Sequence, residues 1–383
     1  MSTPLTYTAL VLAAVHFGAP LAYYFYMKTT WLKKPWSLKI DPEYTPKLTV
    51  IIPTYNEASL IEGKLDDIAL QEYPRDKLQI IVVDSASTDG TVEKTENWSK
   101  TRGVPVKIIR EPQRRGKAHA LNEALKHAEG EVLVITDADS RWADPQTLKK
   151  TVKWFSDPTV GAVTCLKKPA GGSKVEASYR DYYNVLRIAE SKMWATPIFH
   201  GELAAFRGEL LEKIGGFPTH LGSDDSHTAV LIAAAGWRAI ATDDLKCVEL
   251  VPRQYAKWRV RRAQHLVQSF AASLKLRTPP RYKAVLYTEA YLHLVNPWLL
   301  LAALAAALAA GPPGWVLVAL GLALLVYKPY RTWIAMQAYL IAAALRNLWT
   351  KEIVWKKEEK APAEAGEVVH RGNEHPQDAR RAR

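Results

Sequence analysis

The stretch LTVIIPTYNE, residues 48–57, runs from five consecutive apolar or β-branched residues directly into a polar loop. Four similar runs follow along the chain: QIIVV (79–83), VKIIR (106–110), EVLVIT (131–136) and VGAVTC (160–165). Helix-compatible segments separate them, for example KAHALNEALKHA at 117–128. Near-continuous apolar strands that alternate with helices are typical of a parallel sheet buried on both faces. The sequence therefore predicts an α/β fold with a mostly parallel sheet and helices on both faces.

Apolar segments flank this α/β region. Residues 5–27 contain no acidic residue, lysine or arginine, and a helix of this length crosses about 30 Å of hydrocarbon. No basic residue precedes the segment and lysines follow it, which favours a retained anchor with the next domain on the cytoplasmic side. Residues 284–310 and 315–327, joined by the turn 311–314, predict a helical hairpin. Residues 331–350 either cross the membrane or lie on its surface; the lysines after them favour three spans plus one interfacial helix.

These patterns predict five regions along the chain. They are an N-terminal transmembrane anchor (1–30), a cytoplasmic α/β domain (47–252), an amphipathic interfacial segment (253–280), a transmembrane hairpin with a third helix (284–350) and a polar, disordered tail (358–383). Because the α/β region is the only one rich in strand-end polar motifs, we expect the chemistry to reside there.

Composition excludes several classes of protein. The 383 residues include 20 glycines and 23 prolines, which argues against a collagen-like or wholly disordered chain. Two cysteines are too few for a disulfide framework or a cysteine-rich zinc site. The net charge of +12 suits nucleic acid, anionic membranes or phosphorylated substrates. Because the basic clusters adjoin apolar segments and no nucleic-acid-reading motif is present, we expect membrane lipids and no nucleic acid as partners.

Polar side chains follow the first two predicted strands. Pro53, Tyr55 and Glu57 come after the first strand, and Asp84 ends the second. Ligands of parallel sheets bind beyond the carboxyl ends of the strands, where a carboxylate accepts hydrogen bonds from a base or ribose. Each residue alone is compatible with an ordinary loop, but together they favour a nucleotide pocket. No G-x-G-x-x-G or Walker A loop follows a strand, which disfavours a dinucleotide enzyme or a P-loop ATPase.

Two aspartates, Asp137 and Asp139, come directly after the fourth strand. Such hard oxygen ligands suit Mg²⁺ or Mn²⁺ bound to a diphosphate, although D-x-D also occurs in ordinary solvated turns. Upstream, Lys117 opens a predicted helix, where a cation and free backbone amides both favour phosphate. A solvated basic turn is the alternative for that segment.

Two later segments carry further candidates. Asp224 and Asp225 precede the helix-like run HTAVLIAAAG, so Asp225 is either a reactive carboxylate or a helix cap. Gln254, Lys257 and Trp258 begin a stretch in which basic and apolar residues alternate at helical spacing. On local evidence alone, that stretch is an amphipathic helix at a membrane surface.

Six motifs together resemble those of the family 2 glycosyltransferases, which have the Rossmann-like GT-A fold. They are IIPTYNE, VVDSASTDGT, RRGKAHALNEAL, DAD, the acidic pair of GSDDS, and QYAKW, in this order over about residues 47–262. The chain is most similar to the cellulose-synthase and hyaluronan-synthase branch, whose signature is Q-x-x-R-W. Here Lys257 replaces the arginine, which keeps a cation but loses the bidentate contact, and Ser-Asp-Asp at 223–225 replaces the usual Thr-Glu-Asp.

The resemblance implies a role for each candidate residue. Asp225 is the catalytic base of an inverting transfer. The nucleotide sugar is bound by Pro53, Tyr55, Glu57, Asp84, Lys117 and Asp137. The divalent cation, Mg²⁺ or Mn²⁺, is held by Asp137 and Asp139. The acceptor or the diphosphate is contacted by Asp224, Gln254, Lys257 and Trp258.

Membrane content bears on the expected product. Processive polysaccharide synthases thread a polar chain through a pore that is enclosed by several packed helices. Three or four spans are too few to form such a pore. We therefore expect transfer of one or a few sugars to a lipid-linked glycan acceptor at the cytoplasmic membrane face, with a β-linkage. The first expected donor is GDP-mannose, with UDP-glucose or UDP-N-acetylglucosamine next. A processive β-glycan synthase that uses a UDP-sugar and a non-catalytic nucleotide-binding membrane scaffold remain the alternatives.

Overall fold

A computed structural model describes residues 2–142, 144–170, 174–250, 252 and 254–354. The predicted tail, 358–383, lies outside these residues.

Within the described residues, the strands form one eight-stranded sheet with the spatial order β3-β2-β1-β4-β7-β6-β8-β5. Numbered along the chain, the strands are β1 (Leu48–Thr54), β2 (Leu78–Ser85), β3 (Lys107–Glu111), β4 (Val132–Ile135), β5 (Ser140–Trp142), β6 (Val160–Ala170), β7 (Ala204–Arg207) and β8 (Arg238–Leu250). The first four are parallel to one another. In the other half β7 runs antiparallel to β4 and β6, and β5 runs antiparallel to β8. The α/β class is confirmed, with a sheet that is mixed beyond β4.

The helices are also numbered along the chain. They are α1 (Ser2–Tyr26), α2 (Ile61–Ala69), α3 (Thr91–Arg102), α4 (Lys117–Leu125), α5 (Thr147–Val152), α6 (Lys174–Met193), α7 (Gly208–Lys213), α8 (Asp224–Ala234), α9 (Tyr255–Ser273), α10 (Pro280–Ala290), α11 (Asn296–Ala309), α12 (Pro312–Ala323) and α13 (Lys328–Arg346). Single π-helical turns, Met27–Trp31 and Tyr291–Val295, continue α1 and join α10 to α11.

Helices cover both faces of the sheet because successive strand side chains point to opposite faces. On β1, Ile51 lies in one apolar cluster with Leu121 of α4. Its neighbour Ile52 lies in the other cluster, with Leu65 of α2. All four side chains are fully buried, and each such burial stabilises the fold by about 1.5–3 kcal/mol. Because β1, β2 and β4 are parallel, the loops that follow them lie at the same edge of the sheet.

Two helical segments are long and apolar enough to cross a membrane, namely the 28-residue Pro4–Trp31 and the 30-residue Pro280–Ala309. The pair Pro312–Val326 and Lys328–Arg346 is bent by 110° and adds a third only if it crosses as one unit. By length and composition, the described part of the chain thus holds two such segments, or up to three. The sequence led us to expect three spans plus a surface helix.

The turn between α11 and α12 is shorter than predicted. Pro312 and Pro313 open α12, where a missing backbone N–H costs nothing, so the helix begins inside the expected 311–314 turn. A Cβ on Gly314 would stand 1.9 Å from the carbonyl oxygen of Ala307. Glycine at this position therefore allows the two helices to approach closely.

Polar contacts tie α1 to the rest of the molecule. His16 Nδ1 lies 2.9 Å from the carbonyl oxygen of Asn296 in α11, and Trp333 of α13 donates to His16 Nε2 at 3.0 Å. The Tyr24 ring stacks on Tyr182 of α6 at 4.8 Å between centroids. The first apolar helix is thus docked both on its apolar neighbours and on the α/β domain.

Candidate active site

The loops at the carboxyl ends of the parallel strands open into a cavity of about 640 Å³, a size typical of ligand sites. Its other end lies among side chains of α6, α9 and α13. The predicted site residues that line it are Pro53, Tyr55, Glu57, Lys117, Asp137, Asp139, Asp224, Asp225 and Trp258. Segments that are far apart in the sequence therefore share this cavity.

Lys117 is the electrostatic centre of the cavity. Its Nζ lies 2.7 Å from Asp137 Oδ1 and 3.3 Å from Asp224 Oδ2. Burial by itself would lower the pKa of Lys117, but the carboxylates of Asp137, Asp224 and Asp225 outweigh burial and raise that pKa. The ammonium group therefore stays protonated and joins the start of α4, the end of β4 and the start of α8.

Asp224 has an unusual ionisation. Its side chain is buried, and burial, with added repulsion from Asp225 and Asp137, raises the pKa of this carboxyl to about 6 even though Lys117 opposes the shift. An aspartate in an unfolded chain has a pKa of about 4. Because the folded state binds this proton more tightly, the carboxyl lowers stability above pH 6, and the penalty is relieved as the pH falls from about 6 to about 4.

We therefore expect Asp224→Asn to be at least as stable as the wild type at pH 7.5. The stability advantage of the variant should shrink as the pH falls to 5, because the wild-type carboxyl becomes neutral in the same range. Thermal unfolding of both proteins at the two pH values measures this. A stability difference that does not depend on pH would contradict the assignment.

Gly201 lies directly against the Lys117–Asp137 pair. The backbone N–H of Asp137 donates to the Gly201 carbonyl at 3.0 Å. A Cβ on Gly201 would stand 2.8 Å from both Asp137 Oδ2 and Lys117 Nζ. Any larger residue would therefore force the charged pair to move.

If the site catalyses the transfer that the resemblance implies, Gly201→Ala is expected to lower its rate about 10- to 100-fold, because small displacements of reacting groups are costly. Gly18→Ala is the matched control, since a Cβ at Gly18 meets no atom within 4 Å. Steady-state assays of both variants test this, and an unchanged rate in Gly201→Ala would mean that the pair tolerates displacement.

Asp225 faces the same cavity from the first turn of α8. The N-cap of this helix is Ser223, so the cap role considered for Asp225 does not apply. Its Oδ1 accepts a hydrogen bond from the backbone N–H of Ser226 at 2.6 Å. A carboxylate held in this way, open to the cavity, is suited to accept a proton from a bound hydroxyl.

Asp137 and Asp139 border the cavity on the loop between β4 and β5. Their carboxylates are the hard oxygen donors that Mg²⁺ and Mn²⁺ prefer. Among the described residues, no group of three or more histidine, cysteine, aspartate or glutamate side chains is placed to hold a metal ion. The pair therefore fits a cation whose remaining ligands are diphosphate and water oxygens, as is common for Mg²⁺.

The end of the cavity that is predicted to bind the nucleotide contains a stacked pair of side chains. The Arg114 guanidinium lies 3.9 Å from the centroid of the Tyr55 ring, and both residues line the cavity. Asp84 lies behind this wall: it is 3% exposed, accepts hydrogen bonds from the Ser87 N–H and the Thr54 hydroxyl, and is absent from the lining. Asp84 thus shapes the loop here, and its contact with a nucleotide stays a prediction.

The end of the cavity that is predicted to bind the acceptor has other cations than the sequence led us to expect. Gln254 and Lys257 are exposed at the start of α9, outside the cavity lining. Trp258 lines the cavity, and the guanidinium groups of Arg259 and Arg262 lie 5.2 and 4.9 Å from its ring. The cations of this wall are therefore arginines of α9, while the roles of Gln254 and Lys257 stay predictions.

The segment 350–354, which follows α13, contains none of the site residues predicted from the sequence. Gln264 and Gln268 of α9 donate hydrogen bonds to the carbonyl oxygens of Thr350 and Lys351. The segment then reaches the cavity wall, where Val354 Cγ2 would lie 3.2 Å from a Cβ on Gly116. The sequence contains one indication of this contact. Gln264 and Gln268 are four residues apart and therefore lie on one face of the cationic helix α9, whereas the segment itself carries no motif.

The chain is similar to several known proteins. Residues 49–215 match the family described as Glycosyl transferase family 2. Among solved structures, the chain is similar to the mannosyltransferase PcManGT from Pyrobaculum calidifontis in complex with GDP-Man and Mn²⁺. The two are 58% identical with a TM-score of 0.85, over 90% of this chain and 99% of that chain.

Curated relatives match over shorter parts. Cellulose synthase 2 of Novacetimonas hansenii is 30% identical over 56% of this chain and 14% of its own length. Glycosyltransferase AglE of Haloferax volcanii is 30% identical over 52% of this chain and 66% of its own length. The chain thus spans less than two thirds of either relative.

Proposed function

Because this chain belongs to glycosyl transferase family 2, we propose that it transfers mannose from GDP-mannose to a lipid-linked glycan at the cytoplasmic membrane face. The transfer is inverting, forms a β-linkage and uses a divalent cation. Support for this donor and cation comes from PcManGT, 58% identical, whose solved complex contains GDP-Man and Mn²⁺. The observation that carries the proposal is the meeting of Lys117, Asp137, Asp139 and Asp225 in one cavity.

The proposed reaction follows from the charges in this cavity. Asp225 removes the proton from the acceptor hydroxyl. As the acceptor oxygen bonds to the anomeric carbon, the bond from that carbon to the diphosphate oxygen breaks on the opposite side, so an α-linked donor gives a β-linked product. Lys117 stabilises the charge that develops on the departing diphosphate. Asp137 and Asp139 would hold a divalent cation, which would supply further positive charge there.

The residues that line the far end of the cavity support a lipid-linked acceptor. From the aspartates it extends to Trp258, Met336 and Tyr339 and to His293, which belongs to the apolar segment Pro280–Ala309. A ligand with a polar glycan and an apolar tail fits a cavity of this kind. The lysines that follow the first apolar segment, at 28, 33 and 34, support the cytoplasmic orientation.

A processive synthase is the second candidate, favoured by the similarity to a cellulose synthase. The two candidates differ in product. A single transfer yields a mannosylated lipid that partitions into organic solvent, whereas processive synthesis yields a long polysaccharide.

The test uses the full chain in detergent or nanodiscs with a membrane lipid extract. Radiolabelled GDP-mannose, UDP-glucose and UDP-N-acetylglucosamine are supplied in turn, with Mn²⁺ or with a chelator. We expect label from GDP-mannose in the organic phase, dependent on the cation. Label from a UDP-sugar alone, or a long water-soluble polymer, would overturn the proposal.

A further inference from the structure

A further acidic residue, Glu202, lines the cavity close to the aspartates of the D-x-D segment. Glu202 directly follows Gly201, which contacts Asp137 and Lys117, and it is one of the residues that line the cavity. Neither the proposed base nor the proposed cation site uses Glu202.

The backbone of Glu202 is held rigidly. Its carbonyl oxygen accepts hydrogen bonds from the Thr136 hydroxyl at 2.8 Å, the Trp142 indole at 3.0 Å and the Ser140 hydroxyl at 3.3 Å. These donors lie on the segment that includes Asp137 and Asp139. The position of Glu202 is therefore coupled to that of the D-x-D aspartates, as preorganised recognition requires.

The side chain of Glu202 is paired with a buried cation. Lys167 Nζ lies 2.6 Å from Glu202 Oε1, with side-chain exposures of 0% and 5%. Lys167 lies behind the wall, whereas Glu202 lines the cavity. Burying two charges is costly even when they are paired, and the ion pair with Lys167 fixes the direction of the Glu202 carboxylate.

We propose that Glu202, oriented by Lys167, recognises hydroxyl groups of the transferred sugar. An ionised carboxylate accepts hydrogen bonds from two neighbouring hydroxyls of a hexose, and these bonds are stronger than those between neutral groups. Because Glu202 adjoins the residues proposed to hold the diphosphate, the sugar attached to that diphosphate is the ligand within reach. This inference rests on the proposed function and adds a determinant of sugar specificity.

The test compares GDP-mannose with GDP by calorimetry on the full-length protein with Mn²⁺. Glu202→Gln should weaken GDP-mannose binding about 10- to 100-fold and change GDP binding by no more than about twofold. In addition, the wild type should bind at least one monodeoxy analogue of GDP-mannose more weakly than GDP-mannose itself, and Glu202→Gln should lose this discrimination.

Two further variants separate recognition from folding. Glu202→Gln combined with Lys167→Met removes both charges of the pair, which is close to neutral for stability, and should keep the selective loss of GDP-mannose affinity. Asp244→Asn alters the pair Lys153–Asp244, 2.5 Å apart and outside the cavity lining, and should change neither affinity.

An equal loss of GDP and GDP-mannose affinity in Glu202→Gln would overturn the inference. So would an unchanged GDP-mannose affinity with a raised KM for the acceptor, which would assign the carboxylate to the acceptor sugar. If the wild type binds a UDP-sugar instead of GDP-mannose, the proposed donor fails, and the same comparison made with UDP tests Glu202.

Discussion

Asp225→Asn is expected to lower the transfer rate about 10²- to 10⁴-fold, the usual contribution of a general base. GDP-mannose affinity should remain near that of the wild type, because asparagine keeps the shape of the side chain and Asp225 lies outside the Lys117 ion pairs. Single-turnover assays with saturating donor measure the chemical step, and calorimetry measures donor binding.

The matched control for this variant is Asp76→Asn. Asp76 is exposed and borders a shallow depression at the amino ends of the strands, away from the active-site cavity. The activity of Asp76→Asn should equal that of the wild type. Loss of donor affinity in Asp225→Asn, with chemistry unchanged at saturation, would place Asp225 in the donor site and remove it as the base.

Lys117→Met should abolish transfer and destabilise the fold by about 3 kcal/mol at pH 7.5, because an uncompensated buried carboxylate is costly. Lys117 is the cation that contacts both Asp137 and Asp224, and Asp224 is 5% exposed. Equilibrium unfolding in denaturant gives the free-energy change, and the transfer assay gives the activity.

A double variant separates the two roles of Lys117. Lys117→Met combined with Asp224→Asn removes the buried charge together with its partner, so most of the lost stability should return while activity stays absent. If the double variant is no more stable than Lys117→Met, the destabilisation does not arise from Asp224. If it regains activity, the lysine is not needed to stabilise the diphosphate.

The fold could be predicted because its signals are local. The apolar runs at β1, β2 and β4 are short, rich in β-branched residues and separated by helical segments. Polar residues bound each run, so the length of each buried strand can be predicted from the sequence. The antiparallel β7 was not predicted, since strand direction depends on which neighbour a short segment meets in space.

The acceptor end of the site could not be predicted in the same way. Lys257 replaces an arginine in a recognisable motif, yet the structure places it on the surface while Arg259 and Arg262 flank Trp258. The direction of a side chain on α9 depends on the rotation of that helix against its neighbours. A motif specifies residue spacing and leaves this rotation undetermined.

The sequence by itself determined the α/β class, the apolar segments and the candidate acids at Asp137, Asp139 and Asp225, because hydrophobic periodicity and strand-end motifs involve residues that are close along the chain. Only the tertiary structure decided that Lys117 joins Asp137 to Asp224, that Asp84 lies behind the wall and that Glu202 lines the cavity. These relations join residues separated by many positions, and the packing of helices against the sheet determines which of them meet.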